Sequence, residues 1–154
     1  MALCLIDKIL VAIDGSEISN KALDFALEMA EKYSASLTVL NVYELPTAGM
    51  VSQETTAISA EGIVGFAKDL SQLHEKILNN AVNHSKSIKP NLEVSSKIRE
   101  GDPAKEIVAE AKEGKFSIIV IGHKSSGRVK EFLGLGGTGE KVAHLAPCPV
   151  IIVK

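Results

Sequence analysis

The sequence predicts an α/β protein: a doubly wound sheet of five parallel strands in the order 3-2-1-4-5. Three observations carry this. Short β-branched runs alternate with helical patterns along the chain, and no hairpin signal joins two strands. Alternating units of this kind are linked by right-handed crossovers, which wind the chain outward from strand 1 and then back to its other side. Finally, six of the twelve glycines fall between Gly122 and Gly139, directly after the apolar run 116–121. A buried strand that opens into a glycine-rich loop and then a helix brings backbone N–H groups and a positive dipole end together, which suits a phosphate.

Each element has a local reason. Residues 8–13 form a β-branched strand closed by Asp14-Gly15-Ser16. Ser16 caps a helix over 17–33, with Glu17 in its first turn and Ile18, Ala22, Phe25, Ala26 and Met29 at helical spacing. Residues 36–43 are apolar enough for a strand buried on both faces. No period survives over 44–60, which reads as a long loop. Helix returns over 61–88, with Leu70, Leu73, Ile77, Leu78 and Ala81 in register, and Lys89-Pro90-Asn91 stops it. Residues 92–99 alternate as a less buried strand should. Asp102-Pro103 is a strong helix start, Ala104, Ile107, Val108 and Ala111 make its stripe, and Gly114 ends it. A strand at 116–121, a helix over about 138–146, the breaker Pro147-Cys148-Pro149 and a strand Val150–Val153 complete the chain.

Composition narrows the function. At 154 residues the chain is expected to be one domain with a substantial core. A net charge of −2 gives no electrostatic case for nucleic acid or an anionic membrane. No apolar run reaches the ~18 residues of a membrane span. The apolar start Met1–Ile6 is interrupted by Asp7 and Lys8 and lacks a basic leader, so no signal peptide is expected. Cys4 and Cys148 lack metal-ligand spacing and read as small core residues of a cytoplasmic protein.

The predicted strand order reverses between strands 1 and 4, and ligands bind at the carboxyl ends of strands flanking such a point. Those ends are Asp14-Gly15 and Gly122. Asp14 reads either as an Asx-turn residue leading into the first helix or as a ligand group. His123, Lys124, Arg128 and Lys130 read as a solvated basic rim, with Lys124 or Arg128 as the alternative neutraliser of phosphate charge. His74 and His84 lie ten residues apart on the second helix, not at the i, i+4 spacing of helical metal ligands, and read as surface residues, as does His144. Ser125, Ser126 and His123 are sequence neighbours, which is no basis for a hydrolytic triad.

The motifs Ile9-Leu-Val-Ala-Ile-Asp14-Gly-Ser16, Leu37-Thr-Val-Leu-Asn-Val-Tyr43, Gly101-Asp-Pro103, Ile118-Ile-Val-Ile-Gly122 and Ala146-Pro-Cys-Pro-Val-Ile-Ile-Val153, in that order, resemble the universal stress protein family along the whole chain. The resemblance implies a Rossmann-like, adenine nucleotide α-hydrolase-like sandwich. ATP-binding members carry G-x2-G-x9-G-[S/T]. Here Gly127, nine residues and Gly137-Thr138 match the second half, but Lys124 stands where the first glycine belongs and Gly122 is the nearest one, a loop two residues longer. A register anchored on Glu140-Lys-Val142 would instead put Gly136-Gly137 at the final pair and lose the hydroxyl.

Carried across, the resemblance implies ATP as ligand, with Mg²⁺ left open and AMP, ADP or no nucleotide as alternatives. Asp14 would sit by the ribose, the phosphates or their metal, and is the one metal candidate. Val42 would offer its backbone to the adenine edge. Gly122 and Gly127 would line the phosphates, and Gly137 and Thr138 would close on them. Ala12, Ile13 and Ile121 complete the cofactor-binding set. It also implies a homodimer through Val150–Val153, a bare apolar edge that requires a cover. The expected function is a nucleotide-binding stress sensor or regulator with slow hydrolysis at most, because an efficient phosphoryl-transfer enzyme needs a metal site, charge clamps and a positioned nucleophile. The alternative is a nucleotide-independent dimeric interaction module. An enzyme acting on an adenylylated substrate rests on fold analogy alone.

Overall fold

The computed structural model describes residues 5–45, 60–123 and 137–154. Cys4, the core of the loop expected at 44–60, Lys124, Gly127, Arg128 and Lys130 lie outside the described residues. Five strands and four helices alternate among the described residues: β1 (Lys8–Ile13), α1 (Glu17–Tyr33), β2 (Ser36–Tyr43), α2 (Ala60–Ile88), β3 (Val94–Glu100), α3 (Pro103–Glu113), β4 (Ile118–Gly122), α4 (Thr138–Leu145) and β5 (Val150–Val153). The sheet order is β3-β2-β1-β4-β5, as the sequence predicts. All four pairings are parallel.

Two apolar layers sandwich the sheet, and the period of two along β1 sorts its side chains between them. Ile9, Val11 and Ile13 pack with Ala22, Leu23, Ala26 and Leu27 of α1 and with Leu78 and Ala81 of α2. Leu10 and Ala12 pack on the opposite face with Ala104, Ile107 and Ala111 of α3 and Val142 of α4. Leu23 and Leu27 are almost fully buried, a contribution of about 1.5–3 kcal/mol each.

The helix starts follow the predicted chemistry. Ser16 Oγ accepts from the Ser19 N–H at 3.2 Å, and Asp102 Oδ1 from the Lys105 N–H at 3.0 Å. Three details differ. The buried stripe of α1 runs through Leu23 and Leu27, leaving Phe25 exposed. Leu73 is 54% exposed, because α2 meets the sheet only along its later turns, where Leu78, Ala81 and Ser85 are buried. Strand β4 begins two residues late, because the Phe116 N–H bonds back to the Ala111 carbonyl at 3.0 Å and so closes α3 rather than joining the sheet.

Edge strand β3 carries a charged cluster. Glu110, its side chain 2% exposed, accepts from Lys97 Nζ and Arg99 Nη1, each at 2.7 Å. Burial pushes the Glu110 carboxyl upward, but the hydrogen bonds from Lys97 and Arg99 outweigh it and the net displacement is down. Arg99 also reaches Glu106 and Glu113. Charge on an edge strand discourages pairing with another sheet.

Candidate functional site

The carboxyl ends of β1, β2 and β4 open into a cavity of about 330 Å³, bounded by α1, α2, α3 and the start of α4. It lies where the strand order reverses. Its volume is at the lower end of the range for small-molecule sites. Seven of the residues expected at the site line it: Ala12, Ile13, Asp14, Val42, Ile121, Gly122 and Thr138. Gly137 is the N-cap of α4, one residue before the wall, and Gly127 is outside the described residues.

The turn after β1 is built by its own polar groups. Gly15 adopts φ +83°, where a side chain would be strained and would also press on Ile77. That turn lets Asp14 Oδ1 accept the Ser16 N–H at 2.9 Å. Ser19 Oγ donates to the Ser16 carbonyl at 2.9 Å and accepts the Asp14 N–H at 3.3 Å. Asp14 is therefore an Asx-turn residue that also lies on the cavity wall. Gly122 allows the end of β4 to pass close under α1. A Cβ there would lie 3.0 Å from the backbone carbon and oxygen of Ile18. The His123 N–H continues the sheet to the Val153 carbonyl at 2.7 Å.

Helix α4 presents an anion-compatible end. Thr138 opens it on the cavity wall, and its N-cap Gly137 makes no side-chain capping bond. First-turn N–H groups of such a helix and its dipole favour negative charge.

Sequence reasoning missed the second helix's contribution. His74, expected at the surface, is half-buried on the cavity wall. Its Nδ1 lies 2.7 Å from Asn41 Oδ1, and its ring stacks on Tyr43 at 5.1 Å between centroids. Asn41 is fully buried, and its Nδ2 donates to the Ile13 carbonyl at 2.8 Å. Burial pushes His74 below its ordinary value, while Asp14 pulls it partly back. The available signal was Asn41 itself, a polar residue within an apolar strand that needs a buried partner. His84 keeps its surface place, pairing with Asp24 at 2.7 Å, and His144 is exposed on α4.

Residues 6–154 match the universal stress protein family. The chain belongs to that family. It is 36% identical over 156 residues to universal stress protein YxiE of Bacillus subtilis, an alignment covering 96% of this chain and 99% of that one. Its fold is similar to that of universal stress protein UspA from Lactobacillus plantarum, with TM-score 0.75, 23% identity, and 97% and 98% of the two chains covered. It is also similar to a universal stress protein from Archaeoglobus fulgidus solved in complex with dAMP, with TM-score 0.62, 25% identity, and 97% and 99% covered.

Among the described residues no group of three or more His, Cys, Asp and Glu side chains is placed to hold a metal. Asp14 supplies a single carboxylate, which fits a cation already chelated by phosphates rather than a resident metal site. Cys148 is half-buried, and burial pushes its thiol up. No helix among the described residues is long and apolar enough to cross a membrane.

Proposed function

We propose that this universal stress protein binds an adenine nucleotide in the cavity at the ends of β1, β2 and β4 and works as a stress-response sensor rather than an enzyme. The observation that carries the reading is the convergence of Asp14, Val42, Gly122 and Thr138, from four separate elements, on one cavity at the switch point. The dAMP complex of the Archaeoglobus fulgidus relative supports the class of ligand. The fit is chemical as well as spatial. Apolar Ala12, Ile13, Val42, Ile107 and Ile121 suit a flat base, Asp14 suits sugar hydroxyls, and the start of α4 suits phosphate.

ATP is the nucleotide favoured, carried with Mg²⁺; Asp14 and Thr138 are the groups that would meet its sugar, phosphates and cation. When bound, the cation would supply charge neutralisation. The chain's own residues hold and orient the ligand, and hydrolysis is slow or absent, which a phosphate-release assay checks. The protein acts in the cytoplasm as a homodimer through Val150–Val153. β5 is an edge strand, and its four apolar residues are only half-buried, which supports pairing with a second copy.

Two measurements test this. Protein purified without added nucleotide is denatured, and the supernatant is run on anion exchange against AMP, ADP and ATP; empty protein is then titrated with each by calorimetry. Stoichiometric nucleotide or micromolar binding supports the reading. An empty protein that also ignores added Mg-ATP, AMP and ADP sinks it and leaves the interaction module that Lys124 in the glycine motif suggests. Sedimentation at several concentrations tests the dimer, and a monomer throughout contradicts it.

A further inference from the structure

Resting on that reading, we infer that His74 is a ligand-binding residue of the cavity, presenting Nε2 as a hydrogen-bond acceptor to an N–H or O–H donor of the nucleotide's base or sugar. Asn41 fixes the tautomer of His74. The Ile13 carbonyl can only accept, so the group facing it at 2.8 Å must be the Asn41 amide nitrogen. The other amide atom, 2.7 Å from His74 Nδ1, is then the carbonyl oxygen, which also can only accept. Nδ1 must therefore carry the proton. In the neutral ring, which burial favours, Nε2 is left bare.

Geometry keeps the ring in this pose. Asn41 is fully buried on a central strand, and Tyr43 stacks on the imidazole with 23° between the planes. Among the described residues no second hydrogen-bond partner takes the ring, which lines the cavity beside Tyr43 and Glu44. The carboxylates on the same wall are Asp14 and Glu44, which accept from ligand donors and supply none when ionised. A bare Nε2 adds one more acceptor there, held at fixed tautomer by a chain that begins at the end of β1. A ligand that offers a donor is then preferred over its analogue lacking one.

The test compares AMP, 2′-deoxy-AMP and purine riboside monophosphate, whose base has neither the amino group nor any ring N–H, on the wild-type protein, His74→Phe and His74→Gln. Phe keeps the ring stack and removes the acceptor, while Gln keeps an acceptor oxygen. The wild type is expected to prefer AMP over one of the two analogues by roughly tenfold. That preference disappears in His74→Phe and survives in part in His74→Gln. Loss of discrimination against the purine riboside compound identifies the base amino group as the donor; loss against the deoxy compound identifies the sugar hydroxyl. Nitrogen spectra of labelled histidine in the wild type read the same point without a variant: Nδ1 protonated, Nε2 bare, and Nε2 moved by saturating AMP. Unchanged discrimination in His74→Phe, or an Nε2 signal that AMP leaves in place, overturns the inference and leaves nucleotide binding intact. A wild type that binds none of the three overturns both.

Discussion

The two ends of this sheet are built from similar residues and do opposite things. At the amino end the polar groups are used on one another. Ser117 Oγ donates to the Asp7 carboxylate, the Ser36 N–H reaches the Asp7 carbonyl at 2.9 Å, and the Ser117 N–H reaches the Lys8 carbonyl at 2.9 Å. Lys8 caps the Gly114 carbonyl and lies 4.8 Å over the Phe116 ring. That end is closed. At the carboxyl end Asp14 makes a turn, Asn41 is a buried amide and Gly122 a close helix contact, and a cavity remains above the strand ends. Two aspartates seven residues apart on either side of β1 thus have different roles: Asp7 locks strands, and Asp14 faces the cavity.

Exchanging the two aspartates one at a time is the strongest way to break that comparison. Asp14→Ala is expected to weaken nucleotide binding by about ten- to hundredfold, since a hydrogen bond to a charged group is among the stronger ones. Asp7→Asn should leave binding unchanged. Equal effects in calorimetry would remove the distinction between the ends.

Gly122→Ala comes next. Its Cβ meets the Ile18 backbone, which cannot rotate away, so destabilisation of about 1–3 kcal/mol is expected by denaturant melts. Gly65 sharpens the contrast. It lies inside α2 with nothing within 4 Å of an added Cβ, so Gly65→Ala should stabilise the protein by about 0.5–1 kcal/mol. The smallest effect is acid-dependent. The hydrogen bond from Ser117 holds the Asp7 carboxyl below its ordinary range, against burial and with help from Lys8. A depressed carboxyl contributes stability that is present above its unfolded value and is lost as pH falls through the lower folded value. Asp7→Asn should therefore lower neutral stability slightly, meet the wild type in acid, and so flatten the acid limb below about pH 4; an unchanged limb argues against the lock.

The architecture was legible because its causes are local. The β-branched run 8–13, the cap at Ser16 and the Asp102-Pro103 start each act within a few residues, and each stands where periodicity and capping place it. Two residues of the cavity wall were legible for a topological reason, since the strand order alone brings Asp14 and Gly122 together, while Val42 and Thr138 came from the family resemblance. What escaped depends on distant partners. Asn41 and His74 meet across 33 residues, where α2 packs on β2. Glu110 is buried only because Lys97 and Arg99, on the preceding strand, reach over it. Leu73 and Phe25 follow a helical period yet face solvent, because a period gives a face and not the extent of the surface beneath it.

The most direct test of the account is a titration of backbone-labelled protein with AMP and with Mg-ATP, followed residue by residue through amide chemical shifts. The account predicts saturable shifts at Asp14, Val42, Gly122 and Thr138, with Asp7, Ser36 and Ser117 at the amino end unmoved. Shifts confined to the amino end of the sheet, or none at saturating nucleotide, would contradict it.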